Sequence, residues 1–332
     1  MARSADADTR RVQSLHGAHS EQCAEGVLLV RPAQFGYNSE TAASNRFQQS
    51  APQSSDTATR ARREFEALCL GLEATGVGVC VVDDTSTPVK PDAVFPNNWV
   101  SFHRDGTVVL YPMQAENRRA ERRIEVLQEV ETRLQFRRRR LIDLSKHEEE
   151  GRMLEGTGSL VLDHVQKIAY ACRSARTDES LVREWCALMN YEPLLFEAHG
   201  ADGTPLYHTN VMLSIGARWA VVCSEAIAET DRARVLQRLR ASRREIIEIS
   251  AAAMLDFAAN ILELAGRDSF GAPRSVLVLS EQARSALQQD AQIWNRLRAC
   301  VDQVVAAEVP TIERVGGGSV RCMLAEVPAS RP

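Results

Sequence analysis

The residues able to do chemistry in this chain stand where loops run into apolar strands. Cys322 follows Gly316-Gly317-Gly318-Ser319, and three consecutive glycines free the backbone to turn tightly and to adopt positive φ. Such a turn could present a thiol at the mouth of a pocket. The same stretch also reads as a plain loop entering a last strand, with Cys322 as a small core residue. A cysteine nucleophile needs a base to make thiolate and a further group to orient that base. Among the seven histidines, His208 alone stands at the entrance to an apolar strand beside polar neighbours, Thr209 and Asn210. Glu155 precedes Gly156-Thr157-Gly158-Ser159 at another strand entrance. Singly, a histidine at a strand start is more often structural, and an acid before glycine more often a turn carboxylate. Together with Asn97-Asn98 at a fourth junction, Glu155, His208 and Cys322 would converge on one pocket if the junctions lay on a ring.

The elements that must position them are legible in the hydrophobic periodicity. Val27–Val30, Val77–Val82, Thr107–Tyr111, Ile168–Cys172, Arg218–Cys223 and Ser275–Ser280 read as strands. Helical spacing appears over 59–74 (Phe65, Leu68, Leu72), 117–140, 181–189, 225–242 and 281–305. Strands in pairs alternate with single helices, so the unit is ββαβ repeated about five times rather than the one strand per helix of a doubly wound sheet. That pattern predicts an α/β ring of small mixed sheets. Residues 1–24 are polar and aperiodic and are expected to be a disordered lead, with one propeller domain over 25–330. The polar Gln/Ser/Ala tract that follows Thr41, to about residue 58, is long enough to form a lid.

Composition narrows the function classes. A net charge of −4 gives no sign of a nucleic-acid partner. No apolar run approaches membrane-spanning length. The eight cysteines form no Cys-x-x-Cys pair, so neither a zinc site nor a disulfide framework is indicated, and a reducing cytoplasmic setting fits. The glycine-rich stretch lacks Gly-Lys-Ser/Thr and precedes a strand, so it is not a phosphate loop. Nothing calls for a metal or an organic cofactor. The Arg137–Arg140 run reads as a solvated helix end.

These residues carry a family resemblance. Val30-Arg-Pro-Ala-Gln-Phe-Gly-Tyr-Asn-Ser-Glu-Thr41, Phe95-Pro-Asn-Asn-Trp99, Leu154-Glu-Gly-Thr-Gly-Ser159, Tyr207-His-Thr-Asn-Val211 and Gly316-Gly-Gly-Ser-Val-Arg-Cys-Met323 occur in order. The chain resembles the guanidine-modifying, or pentein, superfamily of arginine deiminases, amidinotransferases and dimethylarginine hydrolases. Within it, the chain is most similar to the citrulline-utilisation hydrolases, also called arginine-deiminase-related proteins. The resemblance runs from about Val27 to Val327 and implies a five-bladed α/β propeller. It implies Cys322 as nucleophile, His208 as general acid/base and Glu155 as the acid of a Glu-Gly-Gly-Asp motif that here reads Glu-Gly-Thr-Gly. Arginine deiminases carry Arg-Asp where this chain has Asn97-Asn98, and His-x-Asp where it has His208-Thr209-Asn210.

The lost aspartates suggest the substrate class. A guanidinium is a permanent cation with donors only and suits acceptor-only carboxylates. A ureido group is neutral and adds a carbonyl acceptor, which an asparagine amide can serve. The expectation is therefore a citrulline-like amino acid hydrolysed to ornithine, ammonia and carbon dioxide through a covalent S-linked intermediate. An amidine-group enzyme acting on arginine and a non-catalytic propeller are the alternatives. Asn97, Asn98, Asn210, Asn260 and Arg321 are the expected substrate contacts, with Arg31, Arg46, Asp92 and Asp256 as lesser candidates. The reading leaves a homodimer open.

Overall fold

The computed structural model describes residues 21–50 and 55–330. Among them, fifteen strands pair into five three-stranded sheets, the blades of an α/β propeller. The sheets are β3 (Val100–Phe102), β4 (Thr107–Leu110) and β5 (Arg140–Asp143); β6 (Val161–Asp163), β7 (Ile168–Cys172) and β8 (Glu192–Phe196); β9 (Leu213–Ile215), β10 (Trp219–Val222) and β11 (Glu245–Glu248); and β12 (Leu262–Arg267), β13 (Pro273–Ser280) and β14 (Gln303–Ala307). In each, an antiparallel pair is followed by a helix that returns a third strand parallel to the second. The remaining sheet joins the ends of the chain. β1 (Gly26–Arg31) pairs in parallel with β2 (Gly78–Asp83) and antiparallel with β15 (Ala325–Val327), Gly26 facing Val327. The ββαβ count read from the sequence is therefore the observed topology.

The middle strands β4, β7 and β10 are buried along their whole length, because a helix covers one face and the neighbouring blade the other. This is why they read as unbroken apolar runs rather than alternating ones. The outer strand β11 alternates toward solvent. The crossover helices are α1 (Ser55–Glu73), α2 (Ile124–Arg133), α3 (Glu179–Met189), α4 (Glu229–Ala241) and the pair α5 (Glu281–Gln288) and α6 (Ala291–Arg298). In α3, Asp178 caps the N-terminus by accepting from Leu181 N, and Asn190 ends the helix at φ 57°. Leu181, Val182, Trp185 and Cys186 face the sheet, and burying each large apolar side chain contributes about 1.5–3 kcal/mol.

Two expected helices are shorter than their periodicity suggested. The 117–140 segment splits into Glu116–Arg119 and α2, because Arg118 turns inward to Glu121 (2.9 Å) instead of continuing a solvated face. The Arg137–Arg140 run consequently leads into β5 and does not end a helix. The 281–305 segment restarts at Asp290, which accepts from Gln292 N and Ile293 N, and its β-branched end forms β14. Of the lead expected over 1–24, residues 1–20 lie outside the described residues. Gln22, Cys23 and Ala24 are buried, and Gln22 Nε2 donates to the carbonyls of Leu162 (2.9 Å) and Ile215 (3.2 Å), so packing reaches N-terminal of residue 25. No helix among the described residues is long and apolar enough to cross a membrane.

Candidate active site

The first strand of each sheet lies toward the axis, where β15 packs on β3, β6 on β9 and β9 on β12. A short helical turn precedes each of these strands: Pro96–Asn98, Gly156–Ser159, Thr209–Val211, Ala251–Leu255 and Val320–Met323. Several of these turns touch one another, so side chains at equivalent junctions meet. Glu155 and His208 occupy the N-cap positions of their turns, and Asn260 stands just before β12. Cys322 lies within its turn and is 5% exposed, so the glycines before it do not expose a thiol. Gly317 adopts φ 65°, and a Cβ at Gly316 or Gly318 would come within 2.9–3.0 Å of the Phe95 ring. The glycine run thus lets the turn close over Phe95 and seats Cys322 in the pocket wall.

One side of the pocket is an ionic relay. His208 Nε2 lies 2.9 Å from Glu155 Oε2. Arg176 Nη1 donates to the same oxygen at 3.3 Å, and Gln114 N donates to Oε1 at 3.0 Å. Burial opposes ionisation of Glu155, but Arg176 and His208 outweigh it and hold the carboxyl well below the ordinary range. An ionised carboxylate only accepts, so Nε2 of His208 carries the proton. Burial also pushes His208 down to about 4 despite the pull of Glu155, which leaves a neutral ring with Nδ1 as acceptor. Arg176 is fixed from behind by Ser44 Oγ (2.7 Å) and the Thr41 carbonyl (3.1 Å), and stacks over Tyr207.

The other side is built from amides. Asn260 Nδ2 lies 3.3 Å and Asn210 Nδ2 3.6 Å from Cys322 Sγ. Arg118, which can only donate, gives its Nη1 hydrogen to Asn98 Oδ1 at 2.9 Å. That contact fixes the flip of the amide and leaves Asn98 Nδ2 as a buried donor with no partner among the described residues. Gly158 makes room for it, since a Cβ there would lie 2.6 Å from Asn98 Nδ2 and 2.7 Å from the His208 ring. Asp92 adds a carboxylate. Its Oδ2 accepts from Asn38 Nδ2 (2.7 Å) and Thr41 Oγ1 (3.1 Å), whereas Oδ1 is buried with no partner among the described residues.

The structure thus brings Glu155, His208, Cys322, Asn98, Asn210, Asn260 and Asp92 to one place. Asn97 turns aside, its Nδ2 donating to Thr157 Oγ1 at 3.3 Å across the neighbouring turn. Arg321, expected at the substrate, points away: its guanidinium is taken by Glu326 Oε2 (2.7 Å) and the Leu324 carbonyl (3.0 Å). Arg31 pairs with Glu66 and Asp83, Arg46 with Asp202, and Asp256 accepts from Gln282. The cations at the pocket are instead Arg118 and Arg176. Arg118 was hidden in a charged helix, and the one sequence signal for Arg176 was its place just past the buried strand β7. The tract expected as a lid contributes Ser44 and Asn45, the latter donating to the Gly317 carbonyl at 3.1 Å, and Asn38 and Thr41 come from the turn just before it. A larger cavity lies at the opposite, hairpin end of the strands, lined by His103, His164 and Tyr191, and it holds none of this machinery. No group of His, Cys, Asp and Glu among the described residues could hold a metal ion.

Solved structures share this fold at low identity. The substrate-bound N-terminal domain of ArgZ, an arginine dihydrolase from the ornithine-ammonia cycle in Cyanobacteria, is 15% identical with a TM-score of 0.65, over 92% of this chain and 98% of that one. Unliganded AgrE is 17% identical with a TM-score of 0.67, over 92% of this chain and 40% of that one. A dimethylarginine dimethylaminohydrolase adduct with 4-chloro-2-hydroxymethylpyridine is 16% identical with a TM-score of 0.60, over 91% of this chain and 98% of that one. No curated protein sequence matches the chain. The family described as eukaryotic N,N dimethylarginine dimethylhydrolase matches by its sequence model over residues 31–329, and the chain belongs to that family, within the pentein superfamily of guanidino-modifying enzymes.

Proposed function

We propose that the protein is a cysteine-dependent hydrolase of the ureido C–N bond of citrulline or a close relative. One observation carries the reading: Arg118 turns the Asn98 amide so that its free group is a donor. A buried donor needs an acceptor, and leaving it unmet costs about 1–3 kcal/mol. A ureido carbonyl supplies that acceptor; a guanidinium has none. The amides of Asn210 and Asn260 beside Cys322 Sγ support the same conclusion. Carboxylates there would repel a thiolate unless the substrate itself brought a cation.

In this mechanism Cys322 passes its proton to His208 Nδ1, and the sulfur attacks the ureido carbon. Glu155 stabilises the imidazolium through Nε2–H. His208 then protonates the departing ornithine nitrogen, leaving an S-carbamoyl cysteine. Water, deprotonated by His208, adds to that carbon and restores the thiol. The released carbamate falls apart to carbon dioxide and ammonia. Asp92 Oδ1 is the acceptor proposed for a substrate N–H, while Arg118 and Arg176 act by holding Asn98 and Glu155.

A second reading, a guanidino substrate such as arginine or dimethylarginine, is favoured by that same free oxygen of Asp92 and by the family itself. The two separate in one assay. Purified protein is offered citrulline, arginine and N,N-dimethylarginine, and ornithine, citrulline and ammonia are followed. Release of ornithine from citrulline is expected. Turnover of either guanidino compound without turnover of citrulline would sink the ureido reading.

A further inference from the structure

We propose that Asn260 is a catalytic residue that holds the ionised sulfur of Cys322, rather than a substrate contact. The inference rests on the reading of Cys322 as nucleophile but not on the identity of the substrate. Asn260 is fully buried, and both hydrogens of its amide nitrogen are assigned. One goes to the Asn210 carbonyl at 3.1 Å, and the other faces Cys322 Sγ at 3.3 Å. The carbonyl partner can only accept, so it fixes which end of the amide is nitrogen. No donor is left for a substrate headgroup.

The amide serves both protonation states of the sulfur. Its Oδ1 lies 3.6 Å from Sγ and can accept from the thiol; its Nδ2 donates to the thiolate. The Asn210 amide stands farther off, at 3.6 Å for nitrogen and 4.0 Å for oxygen. The nearby cation Arg321 is engaged by Glu326. Burial pushes the Cys322 thiol up, and among the opposing influences the Asn260 hydrogen bond comes first. In the reaction, the Cys322 proton goes to His208 Nδ1, the S–C bond forms and the ornithine C–N bond breaks. When water later cleaves the S–C bond, the electron pair returns to sulfur. Asn260 would stabilise that anion twice, as nucleophile and as leaving group.

The test is the pH dependence of iodoacetamide alkylation at Cys322, read on its own peptide by mass spectrometry with no substrate present. In Asn260→Leu, nearly isosteric but without the amide, the thiol pKa should rise by about one to two units, the scale of a lost hydrogen bond to a charged group. Asn260→Asp should raise it further by placing a carboxylate beside the sulfur. Asn260→Ser, a milder change that sets no N–H against sulfur, should also raise it, and it serves if the leucine variant does not fold. On citrulline, kcat should fall at least tenfold with KM changed less than threefold. A thiol pKa within 0.3 units (roughly twofold in ionisation) of the unsubstituted protein in folded Asn260→Leu or Asn260→Ser would overturn the inference, whatever happens to turnover. If citrulline proves not to be a substrate and the pKa still rises, Asn260 keeps its role and the ureido reading alone falls.

Discussion

Replacing Asn98 by aspartate tests the headgroup argument most directly. The substitution keeps shape and keeps the acceptor that Arg118 Nη1 reaches at 2.9 Å. What changes is the free end of the side chain, now a donor without a partner, which becomes a carboxylate oxygen. A ureido carbonyl then loses its donor and faces an acceptor, at a cost of about 1–3 kcal/mol. A guanidinium gains a charge-assisted hydrogen bond of about 1.5–3 kcal/mol. The two effects move the preference in the same direction, by roughly 2.5–6 kcal/mol, which is roughly two to four orders of magnitude in relative affinity. The assay is calorimetric binding of citrulline and arginine in a Cys322→Ser background, so that no turnover intervenes. Asn98→Asp adds a charge near Asp92 and Glu121, so the ligand-free variant should also melt lower and recover with arginine. A citrulline-to-arginine affinity ratio that moves less than about threefold would refute the assignment of Asn98 as donor to the substrate.

Glu155→Gln removes the buried charge that pairs with Arg176 and His208, leaving the Arg176 guanidinium inside the protein without a counter-ion. Stability should fall by roughly 3–5 kcal/mol in urea titration, with turnover lost even at temperatures where the variant stays folded. Gly158→Ala puts a methyl group 2.6 Å from Asn98 Nδ2 and 2.7 Å from the His208 ring. Since about 1 Å of misplacement at such a site can cost roughly a hundredfold, kcat/KM should drop by at least that factor, with about 1–3 kcal/mol of stability lost to overpacking. His103, far from the site, is pushed by burial from 6.5 down to about 4. Its folded pKa lies below the unfolded one, so the unfolded chain binds the proton first, and stability is lost as pH falls from about 6.5 toward 4. Between pH 7 and pH 5 this one group should account for roughly 2 kcal/mol, and His103→Gln should flatten the pH dependence of urea unfolding by that amount.

The blade pattern was legible because its signals are local. β-branched runs, helical spacing and the polar residues punctuating them sit within a few positions of one another, and the ββαβ count survives errors in any single boundary. Even so, the two overlong helices show where periodicity fails: an inward arginine at 118 and a capping aspartate at 290 broke segments whose apolar spacing continued. The junctions were likewise readable, since Glu155, His208 and Cys322 are unusual residue types at the turns that lead into apolar strands. Arg321 was misplaced for a related reason: adjacency to Cys322 in the chain says nothing about which way its side chain leaves a tight turn.

Local patterning was enough for the repeating architecture and for the residue types expected to attack and to pass a proton. What those groups offer one another depends on contacts that only the folded chain makes. An asparagine is donor or acceptor according to the partner that holds its other end, and Asn98 takes its orientation from Arg118, twenty residues away and on another element. His208 takes its tautomer from Glu155 in the neighbouring blade, and Asn260 meets the sulfur of a residue 62 positions distant. Glu155 and His208, like Asn260 and Cys322, lie on different blades, so those hydrogen bonds exist only once neighbouring blades have packed. Arg118 and Asn98 share one blade, whose returning helical segment must fold back onto its own entry turn before they meet.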